Sequence, residues 1–151
     1  MSAVGTIMRT IFGLQSFNKS LDQLIQGAKA GGQTIDSHLT GKPDTPQNRQ
    51  QMRHVIGIER WGQRRLQTVL GEPAIHDEYN GYQPDAELDL AALRQEFAAT
   101  RAKTLEIVNT IQQKGLADSA TANHNDMGDV SLKLWLRYLT MHANFESKRV
   151  K

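Results

Sequence analysis

Gly128 to Lys151 reads GDVSLKLWLRYLTMHANFESKRVK, and its spacing predicts a helix from about Val130 to Ser147, capped by Asp129 or Ser131. Leu132, Trp135, Leu139, His142 and Glu146 recur every three or four residues, so all five leave one face. His142 and Glu146 stand four residues apart, which on a helix is ~40° of rotation and ~6 Å of rise. A polar pair that continues an apolar stripe is costly to bury unless something satisfies it. A metal, a hydrogen-bond partner and a solvent-filled cleft would each do so.

Three further amphipathic stretches precede this one. The first runs from about Val4 to Ala30, with Ile7, Met8, Ile11, Phe12, Leu14, Phe17, Leu21, Leu24, Ile25 and Ala28 in step, and Gly31-Gly32 is expected to end it. A polar loop is expected from Gln33 to Asp44. Thr45-Pro46 then starts a helix reaching about Leu70, buried along Met52, Val55, Ile56 or Ile58, Trp61, Leu66, Val69 and Leu70. His54 lies on its apolar side. A third helix is expected from about Glu87 to Lys114, carrying Leu90, Leu93, Phe97, Thr104, Ile107, Val108 and Ile111. Glu72 to Ala86 and Leu116 to Gly128 read as irregular connections, and no alternating strand pattern is visible.

Four such stripes need one another to be buried, which predicts an all-α fold, a four-helix bundle, in a single domain over residues 1–151. A crossover along a ~37 Å helix needs about eleven extended residues. The Glu72 to Ala86 connection is long enough, so an up-down-down-up order is allowed. The loops at 31–45 and 115–129 are long as well.

Composition narrows the chemistry. The 151 residues are 38% hydrophobic and 23% charged, with net charge +2 and a pI near 9.0, which is too mildly basic to argue for nucleic acid. No cysteine is present, so any metal must be held by His and carboxylate. The amino terminus has no basic leader, no run approaches ~20 apolar residues, and a cytoplasmic protein without membrane contact is expected. Glu-x-x-His pairs are absent, which excludes a carboxylate-bridged di-iron site. Gly-x-Ser-x-Gly and phosphate-binding loops are absent too. The histidines His38, His76 and His124 read as exposed loop residues. Arg49, Arg53, Arg60 and Arg64 read as a solvated face, or as an anion site at a pocket rim.

His54, His142 and Glu146 would meet if the second and fourth helices are neighbours. Two imidazoles and a carboxylate can hold zinc, nickel or iron and leave positions open for water or substrate.

The stretches HVIGIERWGQRRL at His54 to Leu66 and GDVSLKLWLRYLTMHANFE at Gly128 to Glu146, with the order of elements, resemble the DinB-like (DinB/YfiT) family over nearly the whole chain. That resemblance implies an up-down-down-up bundle, a homodimer, and a divalent metal held by one His of helix two and an H-x-x-x-H pair of helix four. It places the ligands on His54, His142 and, where the family has histidine, Glu146. It also implies a metal-dependent transferase or hydrolase working with a small-molecule substrate or a low-molecular-weight thiol of the bacillithiol or mycothiol type. Because Glu146 breaks the pattern, the alternative is a non-catalytic homodimeric bundle, stress-related or ligand-binding, that has lost the metal.

Overall fold

The structure, a computed structural model, describes residues 5–7, 10, 11 and 18–151. It is mainly helical. Four long helices, α1 (Leu21–Leu39), α2 (Pro46–Gln67), α3 (Leu90–Gln113) and α4 (Leu132–Glu146), are accompanied by one hairpin, β1 (Thr121–His124) and β2 (Gly128–Ser131). No described helix is long and apolar enough to cross a membrane.

The caps set the starts. Thr45 accepts from the Asn48 amide with Pro46 in the first turn of α2, Asp89 accepts from Ala92 at α3, and Ser131 accepts from Leu134 at α4. At α1 the Ser20 hydroxyl accepts from the Gln23 amide while the Gln23 side chain accepts from the Ser20 amide. The expected single helix from Val4 to Ala30 is therefore interrupted, and it ends too early. The chain breaks before Ser20, and α1 continues through Gly31-Gly32 to Leu39. Of its expected buried stripe, Ile7 and Ile11 are exposed, and Met8, Phe12, Leu14 and Phe17 lie outside the described residues. Gly31 is not a terminator because it faces α4: a Cβ there would come within 3.0 Å of Asn144 Oδ1. The lost backbone entropy, ~1 kcal/mol, is set against close helix approach.

α1 packs on α3 and α4, and α2 packs on the same two helices. Around these contacts sit two apolar clusters. Met52, Val55, Ile56, Leu93 and Phe97 belong to one, and Trp61, Leu66, Ile107, Val108, Trp135 and Leu139 to the other. The predicted stripes of α2, α3 and α4 are thus the observed core.

Between them lies a buried charge pair that no stripe announced. Arg101 of α3 donates from Nε and Nη2 to the two carboxylate oxygens of Glu59 on α2, at 2.6 and 2.9 Å, and from Nη1 to the Ala28 carbonyl of α1. Thr104 also donates to Glu59, at 2.8 Å. Three helices are pinned by one network in which both carboxylate oxygens are met.

The hairpin corrects the expectation of an irregular stretch at Leu116 to Gly128. Thr121 pairs with Ser131 and His124 with Gly128, in antiparallel register. Four-residue strands are too short to show alternation in sequence. The turn closes on Gly128, whose φ of +70° is a left-handed value that suits glycine.

Candidate functional site

α2 and α4 cross so that His54 and His142 face each other, with ring centroids 5.1 Å apart and planes at 57°. Tyr79 meets His54 edge-on at 5.1 Å, and Tyr138 lies 5.9 Å from His142. Tyr79 comes from the 3-10 turn Tyr79–Tyr82 in the long connection after α2. That turn can lie against α2 because Gly57 has no side chain: a Cβ would sit 2.8 Å from Gln83 Cγ and 3.3 Å from the Tyr79 carbonyl oxygen.

Both imidazoles are half-buried, and both are held below the ordinary histidine range. For His142, burial is the largest cause, with His54 adding to it and Glu146 opposing, and the result is about 4. For His54, burial again outweighs the attraction of Glu146. Near neutral pH the pair is therefore uncharged, the form in which histidine ligates a metal.

Glu146 lies within electrostatic reach of both rings. Its Oε2, however, accepts from Gln51 Nε2 at 2.9 Å and pairs with Arg149 at 3.2 Å. Among the described residues, no three His, Asp or Glu side chains stand together as a metal-holding group. The imidazole pair fits a metal, since two histidines on one tetrahedral ion have ring centroids ~5 Å apart. Glu146 fits in donor chemistry, because a carboxylate offers two oxygens, but its Oε2 is engaged by neighbours.

His54 opens onto a cleft of about 850 Å³ that is also lined by Gln51, Arg53, Tyr79, Glu146 and Arg149 among others. A larger groove, about 960 Å³, runs between α1 and α3 past Ile25, Ala98, Ala102 and Leu105, away from the histidines.

The four α2 arginines read as a solvated face, Arg49, Arg53, Arg60 and Arg64, are engaged rather than simply solvated. Arg49 forks onto Asp44, Arg60 pairs with Glu96 and donates to Thr100, Arg53 donates to the Pro84 carbonyl at 2.9 Å, and Arg64 donates to the Pro73 carbonyl at 2.6 Å. Of the three histidines read as exposed loop residues, only His76 is one. His38 lies in the last turn of α1, with Nε2 3.0 Å from the Val150 carbonyl.

His124 is buried in β1 at 4% exposure, surrounded by the rings of Trp61, Trp135 and Tyr138 at 4.9 to 5.2 Å. Its Nδ1 accepts from the amides of Asp126 and Met127, at 3.1 and 3.4 Å, so the proton of the neutral ring sits on Nε2. Only the pairing of the two short strands could have placed this histidine inside.

A pH dependence follows from His124. Burial, against the attraction of Asp126, puts it at about 4, below the ordinary 6.5. As pH falls through 6.5 the unfolded chain takes a proton that the folded one refuses until about pH 4, so stability present above 6.5 is lost on acidification. Urea denaturation at pH 7 and at pH 4.5 should show a loss on the order of 2 kcal/mol from this group. His124→Gln should make that acid limb shallower by this share, leaving the part that His142 carries, and an unchanged slope would contradict the assignment.

Compared with models of protein families, with curated proteins and with solved structures, the chain matches none.

Proposed function

We propose that the chain is a DinB-like four-helix bundle, in up-down-down-up order, that binds a divalent metal and serves as a metal-dependent transferase or hydrolase acting on a small molecule, with a low-molecular-weight thiol as candidate co-substrate. The facing of His54 and His142 across α2 and α4, at 5.1 Å and both neutral, carries the reading. The contacts of α1 and α2 each with α3 and α4 support the bundle, and the 22 residues of α2 followed by a long connection support the order.

His54 and His142 would hold the ion, and Glu146 would complete the set by turning an oxygen from Gln51 and Arg149 toward it. Such an ion supplies Lewis acidity, lowering the proton affinity of a bound water or thiol. The chain's own residues prepare the place. Burial keeps both rings deprotonated, Tyr79 flanks His54 and Tyr138 flanks His142, and Gln51 and Arg149 hold the carboxylate beside the pair. Homodimerisation is part of the same reading.

Metal content tests it. Protein purified without chelator and without a polyhistidine tag should carry zinc, nickel or iron at about one per chain, and His54→Ala should lose it. Zinc at a hundred times its dissociation constant should raise stability by about 2.7 kcal/mol in the wild type and not in the variant. Metal-free protein that neither binds nor is stabilised would overturn the reading.

The engagement of Glu146 by Gln51 and Arg149 favours a second reading, a non-catalytic homodimeric bundle in which His and Glu are structural. It expects Glu146→Gln to change stability alone, whereas the first expects metal affinity to fall at least tenfold, on the order of what a ligand-shell change costs.

A further inference from the structure

We infer that the cleft beside His54 is a binding site for a small polar molecule bearing a carboxylate, with Arg53 as its anchor. The inference rests on the reading that this cleft is the functional site, and it does not require the metal.

Charge is distributed unevenly in the cleft. Arg49, Arg53 and Arg149 line it together with Glu87 and Glu146. Two of the guanidinium groups are already answered, Arg49 by a two-pronged contact with Asp44 and Arg149 by Glu146. Glu146 is answered in turn by Gln51. Arg53 differs. Among the described residues it forms no ion pair, and its Nε donates to the neutral carbonyl of Pro84.

A guanidinium has five N–H donors in a planar fork, and the Pro84 carbonyl takes one. It also fixes the azimuth of the fork, because Nε and the terminal nitrogens share a plane. Arg53 is half-buried on the wall of the cleft, so part of its hydration is removed without a compensating anion. A planar carboxylate is the partner that matches such a fork with two parallel hydrogen bonds.

The neutral lining specifies the rest of the ligand. Gln47, Gln50, Gln51, Asn80 and Gln83 present side-chain amides to the same space, each able to donate and accept. That wall suits hydroxyl or amide groups better than an apolar body. Because Arg53 directly precedes His54 in α2 and both line the cleft, a carboxylate held there leaves the remainder of the molecule within reach of His54.

Glutarate is the probe, with glutaramide as its uncharged counterpart. Binding is measured by calorimetry on full-length, chelator-treated protein, so that a carboxylate taken up by a bound metal cannot mimic the anion site. Glutarate should bind at least tenfold more tightly than glutaramide, and Arg53→Gln should weaken glutarate at least tenfold. Arg53→Lys, which keeps the charge and loses the fork, should fall between the two. Should Arg53→Gln fail to fold, the glutaramide ratio and the lysine variant still decide. Three outcomes would overturn the proposal: equal binding of glutarate and glutaramide, unchanged affinity in the Arg53 variants, or no binding of either at ~10 mM ligand, where even a weak contact registers. Glutarate binding that survives in the chelated protein alongside failure of the metal test would leave the anion site standing alone.

Discussion

Glu59→Met is expected to destabilise the fold by about 3–5 kcal/mol, because it strands Arg101 as an unpaired charge in the interior. Glu59 and Arg101 are 1% and 4% exposed, and the carboxylate takes two guanidinium donors and the Thr104 hydroxyl. Against a total stability of ~5–15 kcal/mol, that loss is a large share. The double variant Glu59→Met with Arg101→Met should recover most of it, since replacing both charges by apolar groups of similar size is often neutral or stabilising. Urea denaturation of the wild type, both single variants and the double variant makes the double-mutant cycle. A Glu59→Met protein as stable as the wild type would show that the pair is solvated and that α2 does not close on α3 through these two side chains.

Trp135→Ala should cost a similar amount, about 3–5 kcal/mol, through the cavity it leaves. Trp135 is fully buried at the meeting point of α2, α4 and the hairpin: its ring touches Trp61 at 5.5 Å, His124 at 5.2 Å and Tyr138 at 5.9 Å. Its indole N–H also donates to the Ala122 carbonyl of β1 at 3.0 Å. Trp135→Phe retains most of the ring and loses that hydrogen bond, and should cost about 0.5–1.5 kcal/mol. Amide hydrogen exchange separates the contributions. In the phenylalanine variant, protection should fall first across residues 121–131, whereas the alanine variant should lose it throughout. Uniform loss in both would mean that the hydrogen bond does not hold the hairpin.

Helix existence was legible wherever a stripe and a cap coincided. Thr45-Pro46 and the run from Met52 to Leu66 mark α2, and Leu90 to Ile111 mark α3 with their buried side correctly placed. The start of α1 was legible too, in the reciprocal Ser20 and Gln23 signal, but the apolar residues ahead of it obscured the break. Gly31 misled because a glycine within a helix and a glycine that ends one look alike until the neighbouring helix is known.

The candidate site divides in the same way. His54, His142 and Glu146 could be proposed from helical phase, and the two imidazoles do meet. Phase gives the face of a side chain but not its rotamer, and the rotamer of Glu146 is set by Gln51 and Arg149. Nor could phase anticipate Tyr79, which reaches His54 from an irregular connection admitted by Gly57.

Local periodicity and capping chemistry, which act over one or two turns, thus settled the helices α2, α3 and α4 and the faces they bury, though not the bounds of α1. Pairings between residues distant in the chain were decided by tertiary packing alone. Arg101 found Glu59, His124 went inside with Trp61 and Trp135, and Arg53 was left without a carboxylate among the described residues, because each depends on which helices become neighbours and on the desolvation that their contact imposes.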